Sequence, residues 1–200
     1  RRSLYLPMED GTRLATDVYL PRPVFRAVED NGTVKKLPTI LYQTRYVRSL
    51  ELKWAFRWLR RFVTTSISIE EIEYFTLRGY AVVVVDSRGS GASTNHRKME
   101  FSPDEVRDGY QVCDWIIQQP WSNGNIGTTG VSYVGTTALH LATVSHPALK
   151  CLFPRAAIFD LYGDMIAPGG VIQKPFIDIW GYTTQSMDAN HWKPFGGQAR

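Results

Sequence analysis

Apolar and polar positions alternate along residues 13–20. Leu14, Thr16, Val18 and Leu20 fall on one side, and Arg13, Ala15, Asp17 and Tyr19 on the other. A period of two is that of a strand with one buried face. Residues 4–8 read as a second strand, and Glu9-Asp10-Gly11 between the two is turn chemistry, so the chain predicts an antiparallel hairpin. Pro21-Arg22-Pro23 ends the pattern, and 29–36 is a polar loop. Residues 39–43 then form a short strand that delivers Thr44-Arg45-Tyr46 to its carboxyl end. Residues 80–85 are an unbroken, mostly β-branched run. Such a strand is buried on both faces, which points to a parallel central sheet.

Helical signals alternate with these strands. Residues 50–63 place Trp54, Trp58 and Phe62 four apart, the stripe of a helix facing a core or a lid. Ser68-Ile69-Glu70-Glu71 is a capping box opening a helix that Gly79 ends. Ser102-Pro103-Asp104-Glu105 is another, with proline at the first helical position, for a helix reaching about residue 118. Asn123-Gly124 turns the chain into a strand over 126–131; an amphipathic segment over 134–144 and a strand over 149–157 follow. From Asp160 onward glycine, proline and aromatics replace the alternation (Pro168-Gly169-Gly170, Trp180, Trp192). The expected fold is α/β: a mostly parallel sheet with helices on both faces and an N-terminal antiparallel hairpin. Residues 1–160 belong to that domain, and 161–200 begin a helical cap.

An apolar fraction of 44% suffices for a globular core. The net charge of +4 comes without a tight basic cluster except Arg57, Arg60 and Arg61. These read as a solvated helix face, and nucleic acid is not an expected partner. Cys113 and Cys151 match no metal or redox spacing and read as buried small hydrophobes. No apolar run is long enough to span a bilayer. The expectation is a soluble protein. Arg1 opens the chain with neither an initiator methionine nor a signal-like apolar run, which leaves an export signal either absent or removed and the localisation open.

Gly130-Val131-Ser132-Tyr133-Val134-Gly135 carries the strongest chemical signal. A serine pinned between a strand and a helix is the geometry of a nucleophile elbow, which lifts the hydroxyl above the sheet and places the next N–H near a developing oxyanion. The second glycine stands three residues after Ser132 rather than two, so the strict G-x-S-x-G spelling fails. The competing reading is a helix-capping serine. A serine nucleophile needs a base oriented by a carboxylate. His140 lies about 12 Å along the following helix, out of reach. His146 falls just past that helix, His191 in the cap, and His96 in a loop before the serine. All four read as structural or solvated, leaving the triad incomplete within these residues.

Asp86-Ser87-Arg88-Gly89-Ser90-Gly91 follows the most apolar strand but lacks the G-x-G-x-x-G spelling of a dinucleotide site. An aspartate beside an arginine there locks a loop by charge-assisted hydrogen bonds. Tyr46, on the loop after an early strand, either aims its hydroxyl at the oxyanion position or is an ordinary half-buried tyrosine.

Together these pieces resemble the cocaine-esterase-like (CocE/NonD) acyl hydrolases, relatives of the X-prolyl dipeptidyl peptidases. The matching segments are Met8-Glu9-Asp10-Gly11-Thr12-Arg13-Leu14, Arg78-Gly79-Tyr80-Ala81-Val82-Val83, Asp86-Ser87-Arg88-Gly89, Asn123-Gly124-Asn125-Ile126-Gly127 and the elbow itself, which the family spells G-x-S-Y-x-G. Asp160-Leu161-Tyr162 and Pro168-Gly169-Gly170 resemble the family's way into its cap. The resemblance implies an α/β-hydrolase fold, Ser132 as nucleophile, and the Tyr133 N–H with the Tyr46 hydroxyl as oxyanion hole. It also implies Trp180 as an aromatic of the acyl pocket, and an acid and histidine beyond the cap. Where the family usually has a proline before this tyrosine, the chain has Arg45.

The expected function is therefore a serine hydrolase cleaving a small ester, amide or short X-Pro peptide through an acyl-serine, without metal or cofactor, with these 200 residues nearly inactive alone. The alternatives are a non-catalytic hydrolase-like binding module or truncated product and, more remotely, a nucleotide-binding α/β domain with a dinucleotide near Gly89.

Overall fold

A computed structural model describes residues 1–22, 35–52, 67–189 and 196–198. The hairpin is present: β1 (Arg2–Pro7) pairs antiparallel with β2 (Arg13–Tyr19), in register from Arg2 opposite Val18 to Pro7 opposite Arg13. Gly11 takes φ +82° in the turn, a conformation only glycine adopts without cost. The sheet continues with β3 (Leu37–Thr44), β5 (Ala81–Asp86), β6 (Ser122–Val131) and β7 (Leu149–Arg155), in the order β1-β2-β5-β3-β6-β7. The last four strands are mutually parallel, and β2 joins β5 antiparallel. All six residues of β5 are buried, as its unbroken apolar run requires.

Helices cover both faces. Val83 and Val85 point into a cluster with Val112, Cys113 and Ile116 of α2 (Pro103–Ile117). Val82 and Val84 point the other way, with Ile72 of α1 (Ile69–Thr76). Both helices start as their sequences predict: Ser68 Oγ accepts from the Glu71 N–H at 3.0 Å and Ser102 Oγ from the Glu105 N–H at 3.2 Å. Gly79, at φ +81°, follows the end of α1. α3 (Tyr133–Leu141) leaves the end of β6 and runs into a short 3-10 turn, Ala142–Val144. Beyond β7 come a π-helical turn (Leu161–Ile166), a 3-10 turn (Pro168–Gly170) and α4 (Lys174–Asp188). Among the described residues, no helix is long and apolar enough to cross a membrane.

Two expectations are corrected. Residues 50–52, read as the start of a helix, form strand β4 (Leu50–Leu52), antiparallel to β8 (Gly196–Gln198). That pairing joins segments distant in sequence, and tertiary pairing overrides local helical periodicity. The rest of that expected helix, with Trp54, Trp58, Phe62 and the three arginines, lies outside the described residues, as do the 29–34 part of the polar loop, Trp192 and His191.

The second correction concerns the cysteines, both read as buried small hydrophobes: that holds for Cys113 and fails for Cys151. Cys113 is buried in the core, and burial pushes its thiol up to about 12, whereas Cys151 on β7 is exposed. Iodoacetamide at pH 8 should therefore alkylate Cys151 of the folded protein and spare Cys113 until denaturant is added, since only a reachable thiolate reacts. Peptide mapping reads the outcome; equal modification of both before unfolding would contradict the burial of Cys113.

Candidate active site

β3 lies between β5 and β6, so the chain leaves it first to one side and then returns to the other. The crevice outside the carboxyl ends of such strands is where open α/β sheets bind ligands. Ser132 and Tyr46 both stand there, one directly after β6 and the other two residues after β3.

Ser132 is held at φ 59°, ψ −125°, outside the regions that side-chain-bearing residues prefer. Its N–H donates to the Arg155 carbonyl at 3.0 Å, and its own carbonyl accepts from the Thr136 N–H at 2.8 Å. The backbone is thus tied to β7 on one side and to the first turn of α3 on the other, while the side chain is exposed. The capping alternative fails, because the Ser132 hydroxyl bonds no N–H of the helix it precedes.

Both elbow glycines have a steric reason. A Cβ at Gly130 would lie 2.3 Å from Val134 Cγ1. A Cβ at Gly135 would lie 2.5 Å from the Arg155 carbonyl oxygen and 2.9 Å from that of Gly130. The displaced second glycine is the point where α3 crosses the end of β7 in backbone contact.

Tyr133, directly after Ser132, is almost wholly buried. As the first residue of α3, its N–H has no intrahelical acceptor and sits at the positive end of the helix. Its ring stacks on Phe101 with centroids 4.3 Å apart and takes Tyr46 edge-on at 5.7 Å. Its hydroxyl lies 2.8 Å from each carboxylate oxygen of Glu105. Glu105, also buried, accepts from Ser87 Oγ at 2.8 Å and from the Phe101 N–H at 3.2 Å. Burial raises the Glu105 carboxyl above the usual carboxylate range, opposed by its hydrogen bonds from Tyr133 and Ser87. The Tyr133 phenol is pushed well up, by burial first and then by the charge of Glu105. The capping-box spelling shows only part of this residue. Glu105 does not close the box on Ser102; its carboxylate anchors the elbow from beneath, which no local pattern announces.

Tyr46 is half-buried, and its N–H donates to Thr44 Oγ1 at 2.9 Å. Its hydroxyl accepts from Trp180 Nε1 of α4 at 3.3 Å. Ser132, Tyr133, Tyr46 and Trp180 are thereby linked, by chain or by contact, in one crevice.

The loop after β5 is locked by charge, but not through the pair expected. Asp86 Oδ1 accepts from the Arg48 N–H at 2.6 Å, and Oδ2 accepts from Arg48 Nη1 at 2.6 Å and the Ala92 N–H at 3.0 Å. Arg88 turns instead to Asp108, bonded through Nε at 2.7 Å and Nη2 at 2.5 Å, and to Asp10 at 2.9 Å. Asp86 ends β5 while Arg88 stands in the turn beyond it, so the two serve different neighbours. A Cβ at Gly91 would strike the Asp86 carboxylate at 2.2 Å. That glycine makes room for a carboxylate where a nucleotide site would admit a phosphate.

Three of the four histidines lie among the described residues. His146 Nδ1 accepts from the Ala148 N–H at 3.1 Å and Nε2 faces Asp114 at 3.1 Å. His140 packs edge-on against Phe101, and burial lowers its pKa. His96 is exposed.

A strained serine at the carboxyl end of a central parallel strand, opening a helix in a sheet of this order, defines an α/β hydrolase. The chain matches the family described as X-Pro dipeptidyl-peptidase (S15 family) over residues 10–198, and it belongs to that family of serine hydrolases. It is 42% identical over 191 residues to a protein of Mycobacterium bovis named as a serine esterase, covering 94% of this chain and 29% of the relative. It is 33% identical over 196 residues to the cocaine esterase of a Rhodococcus species, covering 94% and 30%. The crystal structure of a CocE/NonD family hydrolase from Staphylococcus aureus superposes with a TM-score of 0.76 at 26% identity, over 94% of this chain and 33% of that one. The chain thus spans about three tenths of the length of the curated relatives it matches.

Proposed function

We propose that the protein carrying this chain cleaves a small ester or amide, acyl or X-Pro dipeptidyl, through an acyl-serine formed on Ser132. The observation that carries the reading is the state of that residue: exposed, at φ 59° in a strand-to-helix turn, with its hydroxyl committed to no cap. Ser132 Oγ attacks the carbonyl carbon as a general base takes its proton. The base lies outside the described residues, since His146 is committed to Asp114 and Ala148, and His140 is two turns down α3. The negative charge formed on the carbonyl oxygen is held by the Tyr133 N–H and the Tyr46 O–H. Collapse expels the alcohol or amine, which receives the proton, and water then attacks the acyl-serine to release the acid and restore Ser132. Residues 1–160 supply the hydrolase domain to this scheme, and 161–200 begin a helical cap whose Trp180 lines the acyl pocket.

A fluorophosphonate probe reports an activated serine directly. On the full-length protein it should label one peptide, that containing Ser132, and labelling should be blocked by excess ester substrate. Ester binding without labelling would instead identify a non-catalytic module.

A further inference from the structure

Trp180, Thr184 and Asp188 stand four apart on α4 and form the face of that helix turned toward the loop after β3. Thr184 is buried, its hydroxyl donating to the Trp180 carbonyl at 2.9 Å. Asp188 takes Arg45 Nη2 at 2.9 Å and Arg97 Nη2 at 3.4 Å. Arg45 is 3% exposed; its other terminal nitrogen is 3.1 Å from Glu100, and its guanidinium carbon lies 5.1 Å from the Trp180 ring centroid. An arginine next to Tyr46 therefore secures the helix that carries Trp180, through an ion pair at one end and a cation–π contact at the other.

The bond this arrangement delivers has a fixed direction. An indole N–H can only donate, so in the 3.3 Å contact Tyr46 Oη accepts. The phenolic proton is then left for another acceptor, and among the described residues Tyr46 has none. A hydroxyl that accepts one hydrogen bond becomes a stronger donor in the next. The edge-on contact with Tyr133 restrains the same ring, so both the plane and the oxygen of Tyr46 are constrained.

We propose that Trp180 is a positioning residue for Tyr46: its indole N–H occupies the acceptor side of the phenol and directs the O–H at the oxyanion formed on the Ser132 adduct. Arg45 holds α4 where that contact is made. The inference rests on Tyr46 being an oxyanion donor, as read under Proposed function. It gives α4 a part in the chemical step that lining an acyl pocket would not give it.

Three variants of the full-length protein separate these roles, assayed for kcat and KM on a p-nitrophenyl ester. Tyr46→Phe should lower kcat by about 10²-fold, the usual loss of one oxyanion donor. Trp180→Phe keeps an aromatic surface and removes the N–H; it should lower kcat about tenfold with KM within about twofold, a loss confined to the transition state. Adding Trp180→Phe to Tyr46→Phe should cost nothing further, because the indole acts only through the phenol. Should Trp180→Phe lower the melting temperature markedly, benzothienylalanine at position 180 removes the same N–H at nearly constant shape and should reproduce the kcat loss. Wild-type kcat in Tyr46→Phe would overturn the oxyanion assignment and this inference with it. A deficient Tyr46→Phe beside a Trp180→Phe changed in KM alone, or a double variant with additive losses, would overturn this inference and leave the oxyanion assignment standing.

Discussion

Ser132→Ala in the full-length protein should lower kcat/KM for a p-nitrophenyl ester by at least about 10⁴-fold while KM stays within a few-fold. Removing the nucleophile of a serine-hydrolase unit costs about as much as removing the whole unit, because the remaining members have nothing to activate. What survives is the acceleration from the oxyanion donors and from binding, about 10³–10⁴-fold over water. The fold should survive as well. Ser132 is tied in place through its backbone, to Arg155 and Thr136, and its hydroxyl makes none of those bonds. Alanine at a positive φ is strained much as serine is, so the melting temperature should move little. The measurement is a steady-state assay beside a thermal melt. Turnover persisting within tenfold of wild type in a folded Ser132→Ala protein would reject the acyl-serine reading.

The second large effect is expected at Gly135. An added Cβ there meets backbone, the Arg155 carbonyl at 2.5 Å and its nitrogen at 3.1 Å, rather than the end of a flexible side chain. Neither β7 nor the turn can give way locally, because β7 is paired to β6 up to Arg155 and the Arg155 carbonyl holds Ser132. Helix α3 must therefore lift, carrying the Tyr133 N–H with it. Gly135→Ala should destabilise the protein by about 3 kcal/mol, the upper range for overpacking. It should also reduce kcat about 10²-fold, as a displacement near 1 Å does in a catalytic site. Gly181→Ala on α4 is the matched control: an added Cβ meets nothing within 4 Å, and alanine is the better helix former. It should leave stability unchanged or raise it slightly. Denaturant titration of the two variants settles the comparison; equal midpoints would mean that the contact of α3 with β7 is looser than described.

The strands were largely legible in the sequence because their signals are local. The alternation in β2, the β-branched run of β5 and the two serine caps each need only a few neighbouring residues. The order of strands in the sheet is a different matter, since β3 slots between β5 and β6 by contacts remote in sequence. Residues 50–52 carry a helical period yet form β4 for the same reason: the partner strand, β8, lies more than a hundred residues away. At the candidate site, Ser132 stands out by its neighbours. Glu105 does not, because a carboxylate three residues into a helix spells a cap whether or not it turns inward to a tyrosine. Asp86 and Arg88 show the limit plainly: charge and position both suggest a lock, but only the fold decides that Arg48 and Asp108 are their partners.

Arg155 offers both of its peptide groups to the elbow: its carbonyl receives Ser132, and its backbone sets how near Gly135 may come. Its side chain reaches away to Glu71 and is partly exposed. The seat of the nucleophile is consequently indifferent to which amino acid stands at 155. It is sensitive to how many residues precede it in β7. A substitution at 155 leaves that seat in place, whereas a single inserted or deleted residue in β7 would present a neighbouring peptide to the elbow and unseat the hydroxyl.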